Sequence, residues 1–200
     1  MPKTEFSPSI VSRPVYAGFT PQGAAPALML AEGPGAEAIL DLAAQDAAVM
    51  DRAYVIYIPA GSDLGPKLRA LKPYMYAEAP SFAAAIERYR KALADAHMGT
   101  RLYLSGSEGL IGSAQAEALA AGFPEGAIET EHRGTVARRM QCVHCKGVTE
   151  NVTTDPFTCS HCGLTLFVRD HFSRRLGAFQ GVCVDAETPG IVPETQEIRA

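Results

Sequence analysis

The sequence predicts an α/β fold: a small doubly wound parallel sheet, followed by a small β domain built around a metal ion. Between residues 26 and 131, short apolar runs alternate with segments of helical periodicity, which is the pattern of strand–helix–strand units with right-handed crossovers. After residue 139 alanine-rich helical segments disappear, and four cysteines occur as two C-x-x-C pairs. That spacing is typical of a zinc ribbon.

The α/β segment opens with a continuous apolar run, Ala27–Ala31, as expected of a strand buried on both faces. A turn at Glu32–Gly35 leads into a helix predicted over Ala36–Met50, where apolar residues recur at helical spacing. The unit then repeats. The remaining predicted elements are strands at Tyr54–Ile58, Tyr74–Tyr76, Arg101–Leu104 and Ala127–Glu131, and helices at Leu64–Leu71, Ser81–Ala96 and Glu108–Ala121.

Composition divides the chain into four parts. Residues 1–25 are rich in Pro, Ser and Gly and predict an irregular lead-in, and residues 26–135 form the α/β domain. Residues 136–185 form the ribbon domain, and 186–200 a polar tail. A basic linker is expected at residues 132–139. Within the ribbon domain, strands are predicted at Leu164–Val168 and Gly177–Val184, with a polar and basic stretch between them at Asp170–Arg175.

The main candidate site consists of four cysteines: Cys142, Cys145, Cys159 and Cys162. Each pair can form a knuckle whose sulfurs point at one ion, and the thirteen intervening residues allow a hairpin that brings the knuckles together. Four thiolates suit structural zinc and leave no open position for catalysis. Rubredoxin-like iron and an iron–sulfur cluster use the same ligand type and remain alternatives.

Other polar residues near the cysteines have simpler predicted roles. His144 and His161 lie inside the C-x-x-C pairs and are expected to be solvent-facing, although either could replace a ligand. Cys183 has no partner in the sequence and is predicted to be a buried small residue. Asp170 and His171 predict a local hydrogen bond at a strand end, with a catalytic pair or a second metal site as alternatives. Arg174 and Arg175 suit either a phosphate or an acidic partner, or a solvated pair of charges.

The turns after two predicted strands form the candidate nucleotide site. In doubly wound sheets ligands bind at the carboxyl ends of the strands, near the switch in strand order. The predicted cofactor-binding residues are Gly33, Gly35, Ser105 and Gly106, because glycine lets backbone approach a phosphate closely and a helix N-terminus attracts it. The first turn is not G-x-G-x-x-G, however, and Glu32 would repel a pyrophosphate.

Charge and composition exclude several classes of function. The net charge is −4, which argues against nucleic acid and anionic membranes as ligands. No apolar run approaches the roughly 20 residues of a membrane helix, and the first residues lack the pattern of a signal peptide. These features predict a cytoplasmic location, where thiols stay reduced and five cysteines indicate metal ligands rather than disulfides. A nucleic-acid-binding zinc-ribbon regulator remains an alternative because of five arginines: Arg133, Arg138, Arg139, Arg174 and Arg175.

The α/β pattern as a whole resembles the nicotinamide-binding half of ferredoxin-reductase-type flavoenzymes, with the resemblance carried mainly by Arg101–Glu131. In that family the turn after the corresponding strand reads Tyr-x-Cys-Gly-Pro, whereas here Tyr103–Ser107 lacks the cysteine and the proline. With the four cysteines and the segment His171–Val182, most of the chain resembles the DmmA-like subunit of bacterial dimethylamine monooxygenase. The resemblance implies a multisubunit, NADPH-dependent enzyme that converts dimethylamine to methylamine and formaldehyde, with separate reductase and oxygenase subunits.

Two hypotheses about function follow. In the first, the chain is an accessory, non-oxygenase subunit that docks the reductase or oxygenase, because the sequence offers no convincing nucleophile, acid–base pair or open metal site. In the second, the α/β domain binds NAD(P)H and an iron-loaded ribbon relays electrons. The sequence leaves open whether the chain is itself an enzyme.

Overall fold

The computed structural model of the chain describes residues 12–198. The strands are β1 (Ala27–Glu32), β2 (Ala53–Ile58), β3 (Met75–Glu78), β4 (Arg101–Gly106), β5 (Ile128–His132), β6 (Arg138–Cys142), β7 (Val148–Val152), β8 (Thr154–Asp155), β9 (Phe157–Thr158), β10 (Thr165–Ser173), β11 (Ala178–Cys183) and β12 (Gln196–Glu197). The α-helices are α1 (Ala36–Gln45), α2 (Gly65–Ala70), α3 (Phe82–Ala94) and α4 (Glu108–Ala120). Within residues 12–198, no helix combines the length and the apolar character that a membrane span requires.

The larger unit is an all-parallel sheet with strand order β3-β2-β1-β4-β5. β1 and β4 are neighbours although β2 and β3 lie between them in sequence, so the strand order reverses at this pair. Side chains alternate across the sheet: Met29 and Tyr57 pack with α1 and α2, whereas Leu30 and Leu104 pack with α3 and α4. Both faces are covered by helices, which confirms the predicted doubly wound fold.

The first helix is shorter than the predicted Ala36–Met50. α1 ends at Gln45, and the Asp46 carboxylate accepts a hydrogen bond from the Ala48 N–H at 3.2 Å. That bond starts a 3₁₀ turn over Ala47–Arg52. Aspartate competes in this way with helix continuation. Met50 is buried in the same core by the turn, so its apolar character suits both conformations.

The smaller unit is a five-stranded sheet with order β7-β6-β11-β10-β9. β6 and β11 are parallel, and the other neighbouring pairs are antiparallel. β10 continues to Ser173, so most of the stretch predicted as a polar connection is strand. Inside the predicted tail, β12 pairs with β8, and Ile198 packs on the ribbon core.

The two units meet through α4, which contacts β6 and β11. Their backbones nearly touch at two glycines, because a Cβ atom on Gly112 would lie 2.6 Å from the carbonyl oxygen of Gly177. The segment predicted as a basic linker is largely packed: β5 ends at the buried His132, and β6 begins at the buried Arg138. The second unit is therefore held against the first.

The described part of the lead-in, from Ser12 to Ala25, contains no helix or strand. It is nevertheless anchored. The Gly18 N–H donates to the Thr130 carbonyl at 3.0 Å, and the Phe19 ring packs edge-on against Tyr103 at 5.1 Å between centroids. The lead-in thus covers β5, an edge strand that would otherwise expose unpaired backbone groups. Residues 1–11, also predicted to be irregular, lie outside the described residues.

Candidate functional site

The four predicted cysteines converge on one point. Their sulfur atoms all lie within 4.8 Å of one another. The Cys142 and Cys162 sulfurs are 3.9 Å apart, and those of Cys145 and Cys159 are 3.7 Å apart. Tetrahedral coordination with metal–sulfur bonds of about 2.3 Å separates the sulfurs by about 3.8 Å. The cluster therefore fits one tetrahedrally coordinated ion.

Two tight knuckles place these sulfurs. In the first, the Lys146 N–H donates to the Cys142 carbonyl at 3.0 Å, and Lys146 has a φ of +63°. In the second, the Gly163 N–H donates to the Cys159 carbonyl at 3.0 Å, with φ of +74° at Gly163. The ribbon core buries Cys142 and Cys159, whereas Cys145 is exposed. The cage thus lies at the rim of the core.

Within the cage the charged form of sulfur is favoured at Cys159 and opposed at Cys162. At Cys162 the Leu164 N–H lowers the pKa, but burial and the neighbouring sulfurs raise it to about 12. Burial raises the pKa of Cys159, but backbone N–H groups of Cys162 and His161 donate to its sulfur and lower that pKa to about 6. The Gly147 N–H donates to the Cys145 sulfur at 3.4 Å. Because the thiolate is the form that binds metal, these backbone donors prepare the cluster for coordination.

Neither nearby histidine joins the four cysteines. A ring nitrogen of His161 lies 2.9 Å from the Val148 carbonyl oxygen, and His144 is exposed. Cys183 is half-buried rather than buried, and its thiol donates to an Asp185 carboxylate oxygen at 3.0 Å. That bond raises the pKa of Cys183. The fifth cysteine therefore lies outside the cage.

A second candidate site is an open cleft of about 710 Å³ at the carboxyl edge of the parallel sheet. The structure brings the four residues predicted to bind a nucleotide together beneath this cleft, but none of the four lines it. The Ser105 hydroxyl donates to the Gly35 carbonyl at 2.8 Å, and a Cβ on Gly35 would lie 2.5 Å from the Ser105 carbonyl oxygen. These residues hold the β1–α1 turn against β4. The cleft wall includes Glu32, Pro34 and Ser107 instead.

The backbone and hydroxyl groups at this edge that could bind a phosphate already have hydrogen-bond partners within the chain. Glu32 accepts from the Ser107 hydroxyl at 2.5 Å and from the Ser107 N–H at 3.4 Å. The Ser107 hydroxyl accepts in turn from the Leu110 N–H at 3.2 Å, which caps α4. Pro34 has no N–H to offer. A carboxylate of the chain itself therefore occupies the helix N-terminus that could receive an anion.

The charge of the cleft also opposes a phosphate. Its wall carries Glu32, Glu37 and Asp63 against a single cation, Arg133. Arg133 pairs with Glu131 at 2.6 Å and with Asp41 at 2.8 Å. A pyrophosphate does not fit this donor set, and the assignment of Gly33, Gly35, Ser105 and Gly106 to a nucleotide site stays a prediction.

A buried ionic cluster lies where the two units meet, and no motif in the sequence predicts it. Glu108 is 1% exposed, and it accepts a hydrogen bond from the Tyr16 hydroxyl at 3.0 Å. Arg138 lies 3.6 Å from the Glu108 carboxylate and donates to Asp170 at 2.7 Å. Burial raises the pKa of Glu108, and the Arg138 charge and the Tyr16 hydrogen bond only partly oppose it. Glu108 is an ordinary first-turn acid in sequence, and its burial depends on two distant segments, the lead-in with Tyr16 and the ribbon with Arg138.

The remaining polar candidates serve structural contacts. Asp170 pairs with Arg138 and Arg13, while His171 is exposed, so the predicted pairing of Asp170 with His171 is replaced by ion pairs. Four of the five arginines considered for nucleic-acid binding lie within ion-pair distance of carboxylates: Arg133, Arg138, Arg139 and Arg174. Their charges are largely balanced within the chain, which argues against a basic stripe for nucleic acid.

Comparison with known proteins identifies both units. Residues 8–128 match the N-terminal domain, and residues 139–182 the C-terminal domain, of the family described as dimethylamine monooxygenase subunit DmmA-like. The heme-dependent oxidative N-demethylase delta subunit of Ectopseudomonas mendocina (strain ymp) is 41% identical over 103 residues. That alignment covers 50% of this chain and 59% of the relative.

Two solved structures are also similar to the chain. The flavohem-like FAD/NAD-binding domain of nitric oxide dioxygenase from Vibrio cholerae O1 biovar El Tor is 16% identical, with a TM-score of 0.44, covering 60% of this chain and 56% of that one. Flavohemoglobin from Malassezia yamatoensis is 17% identical, with a TM-score of 0.42, covering 55% and 32%. The family match spans both units of the described fold, and the chain therefore belongs to the DmmA-like family of dimethylamine monooxygenase subunits.

Proposed function

We propose that the chain is a non-oxygenase subunit of a multisubunit, NADPH-dependent N-demethylase and that it docks the reductase and oxygenase subunits. The reaction of the assembled enzyme would convert dimethylamine to methylamine and formaldehyde. The observation that carries the proposal is the family match over residues 8–128 and 139–182, together with a relative named as the delta subunit of an oxidative N-demethylase.

The two candidate sites support a docking role over a chemical one. A cage of four thiolates has no open coordination position, so it cannot admit a substrate to the metal. The cleft at the carboxyl edge holds Glu32 where an anion would bind, and its cation Arg133 is held by carboxylates. In this proposal NADPH and the redox groups belong to the partner subunits.

We further propose that the cage holds structural zinc. A unit of about 45 residues buries too little apolar surface to fold firmly alone, so metal binding would supply folding free energy. The ion would hold the two knuckles together and thereby fix the end of β6, whose Arg138 reaches Glu108. The chain's own contribution to the enzyme is then a rigid, two-part platform.

Reconstitution tests the docking role. The chain and the other subunits of the same demethylase are co-expressed, and demethylation of dimethylamine is measured with and without this chain. We expect a complex that co-elutes with the chain and loses most of its activity when the chain is omitted. Full activity and full assembly in the absence of the chain would refute the proposal.

Metal analysis separates zinc from redox-active iron. We expect one zinc per chain and no visible absorbance in the purified protein. Stoichiometric iron with thiolate-to-iron charge-transfer bands would instead favour an electron-transfer protein with a rubredoxin-like centre.

A further inference from the structure

The amino-terminal edge of the parallel sheet, opposite the cleft, carries a concentration of exposed apolar side chains. Three of the six exposed large hydrophobic residues among residues 12–198 lie there: Tyr74, Met75 and Met98. Tyr74 is 74% exposed, and Met98 is fully exposed. Exposed aromatic and methionine side chains of this kind are enriched in protein interfaces and depleted elsewhere on surfaces.

These side chains flank a groove, which we name the amino-edge groove. It has a volume of about 340 Å³, and its walls include Tyr54, Tyr74, Met75, Arg88 and Lys91. A neighbouring hollow of about 310 Å³ includes Met98 and shares His97 and Thr100 with the groove. The apolar groups therefore belong to one continuous surface.

The charge of the groove is opposite to that of the whole chain. Lys91 pairs with Asp95 at 3.0 Å, and Arg52 with Asp46 at 3.6 Å. Arg88 differs from both, because its closest polar contact is the Tyr54 hydroxyl at 3.5 Å and no carboxylate of the described chain lies within ion-pair distance. The groove therefore presents an uncompensated positive charge beside exposed aromatic and methionine side chains, although the whole chain carries a net charge of −4.

The outer edge of the sheet lies beside this surface. β3 is the terminal strand, so one side of Met75–Glu78 has no neighbouring strand within its sheet. At the opposite end of the sheet, the lead-in packs beside β5. The β3 side is thus the accessible end of the sheet, and the amino-edge groove lies next to it.

We propose that the amino-edge groove docks an acidic surface of another subunit of the same enzyme. The proposal rests on the proposed function, since it requires that the chain be part of a complex. Arg88 would meet a carboxylate of the partner, and Tyr74, Met75 and Met98 would form the apolar centre of the contact. An apolar centre with a charged rim is the usual anatomy of a specific interface. The cleft at the other edge stays open in such a complex.

The test uses charge reversal on the full-length chain. We expect Arg88→Glu to weaken binding of the separately purified partner subunit by about tenfold or more and to reduce its salt dependence. Met98→Ser should also weaken binding, because it removes an apolar side chain from the centre of the contact. Met98 is fully exposed, so this substitution should leave the core of the chain intact. Lys67→Glu is the matched control: it makes the same charge change at an exposed position on α2, outside the groove. It should bind as wild type does.

The outcomes distinguish this inference from the proposed function. If the wild-type chain binds no other subunit, the proposed function fails. If wild type binds and Arg88→Glu and Met98→Ser bind equally well, the docking role stands and the groove assignment is wrong. Wild-type dimers in sedimentation velocity that are lost in Met98→Ser would identify a second copy as the occupant and overturn the proposal. So would salt-sensitive binding to duplex DNA that Arg88→Glu abolishes.

Discussion

Glu32 and Glu108 lie on either side of the turn between β4 and α4, at the amino end of the same helix. Glu32 accepts hydrogen bonds from Ser107, the N-cap residue, while Glu108 occupies the first turn and contacts the ribbon. Negative charge is favourable at a helix N-terminus. The two carboxylates differ in surroundings, because Glu32 lines an open cleft and Glu108 is buried.

Glu32 should exclude nucleotides from the cleft. Glu32→Gln removes the negative charge with little change in shape, and like charges about 4 Å apart cost between about 1 and 4 kcal/mol at a protein surface. We expect the wild type to bind NADPH very weakly and the variant to bind it about tenfold more tightly by calorimetry. Glu87→Gln, on the exposed side of α3, serves as the control. Micromolar affinity in the wild type, unchanged in Glu32→Gln, would contradict this account.

Glu108 should make stability depend on pH. Its pKa is raised chiefly by burial, so the folded state keeps a proton that the unfolded state loses as the pH rises above about 4.5. Stability from this group is therefore present at low pH and is lost as the pH rises through the folded-state pKa. We expect Glu108→Gln to lack this decline when urea unfolding is measured across a pH series. Parallel pH profiles for the variant and the wild type would show that folding leaves the pKa of Glu108 unchanged.

At the scale of elements, α4 is packed on two sides. Leu110, Ile111 and Ala114 pack in the core with the parallel sheet, while Gly112 faces the β10–β11 hairpin at Gly177. A helix buried on both sides must be apolar or small all round. Gly112 meets this requirement by having no side chain where the two backbones approach.

Two alanine substitutions in α4 should have opposite effects. Gly109→Ala has room, since the nearest atom to its Cβ would be the Ser107 hydroxyl oxygen at 3.8 Å, and it should stabilise the helix by up to about 1 kcal/mol. Gly112→Ala would place its Cβ 2.6 Å from the Gly177 carbonyl oxygen and should destabilise the protein by about 1–3 kcal/mol. Denaturant unfolding compares the two. Equal stabilisation by both would mean that the units are not in contact at this point.

For the whole molecule, the ribbon and the α/β unit share one buried ionic cluster. Arg138 and Asp170 come from the ribbon, Glu108 from α4, and Tyr16 from the lead-in. Removing one member of such a cluster leaves an uncompensated buried charge, which costs about 3–5 kcal/mol. Loss of the ribbon fold should therefore destabilise the start of α4, because Glu108 loses its contact with Arg138.

Loss of the metal cage should destabilise the ribbon unit far more than the α/β unit. Cys145→Ser removes one ligand, so we expect loss of metal, a protease-sensitive C-terminal half and faster hydrogen exchange at the start of α4. The parallel sheet, which has its own core on each face, should stay folded. Cys183→Ser, outside the cage, should retain metal and wild-type exchange. Full metal content and protease resistance in Cys145→Ser would show that the cage is not the metal site.

The sequence predicted the order of the α/β elements because buried parallel strands are continuous apolar runs and the covering helices carry apolar stripes. The four cysteines could also be found, because metal ligands need a fixed spacing along the chain. Asp46 was harder to interpret, since its capping bond to Ala48 divides a segment whose apolar periodicity continues unbroken.

Contacts between distant segments could not be predicted in the same way. His171 and Arg138 look like polar loop residues in the sequence. His171 nevertheless lies in β10, and Arg138 is buried with its guanidinium 4.7 Å from the centre of the Phe179 ring. The strand pattern predicts that Gly33, Gly35, Ser105 and Gly106 follow the carboxyl ends of β1 and β4. Only the three-dimensional structure shows that Gly35, Ser105 and Gly106 pack against one another beneath the cleft, whereas Gly33 faces Ala60.

The burial of Glu108 by a later segment sets an order of events during synthesis. All five strands of the parallel sheet precede residue 133, whereas Arg138, Asp170 and Gly177 emerge from the ribosome afterwards. A nascent chain ending before the ribbon can form its sheet but leaves Glu108 without Arg138 and the Gly112 backbone without Gly177. Insertion of β11, which follows the second cysteine knuckle in sequence, between β6 and β10 is then the step that completes the ribbon sheet. Products truncated before β11 should therefore be the forms that cellular proteases remove first.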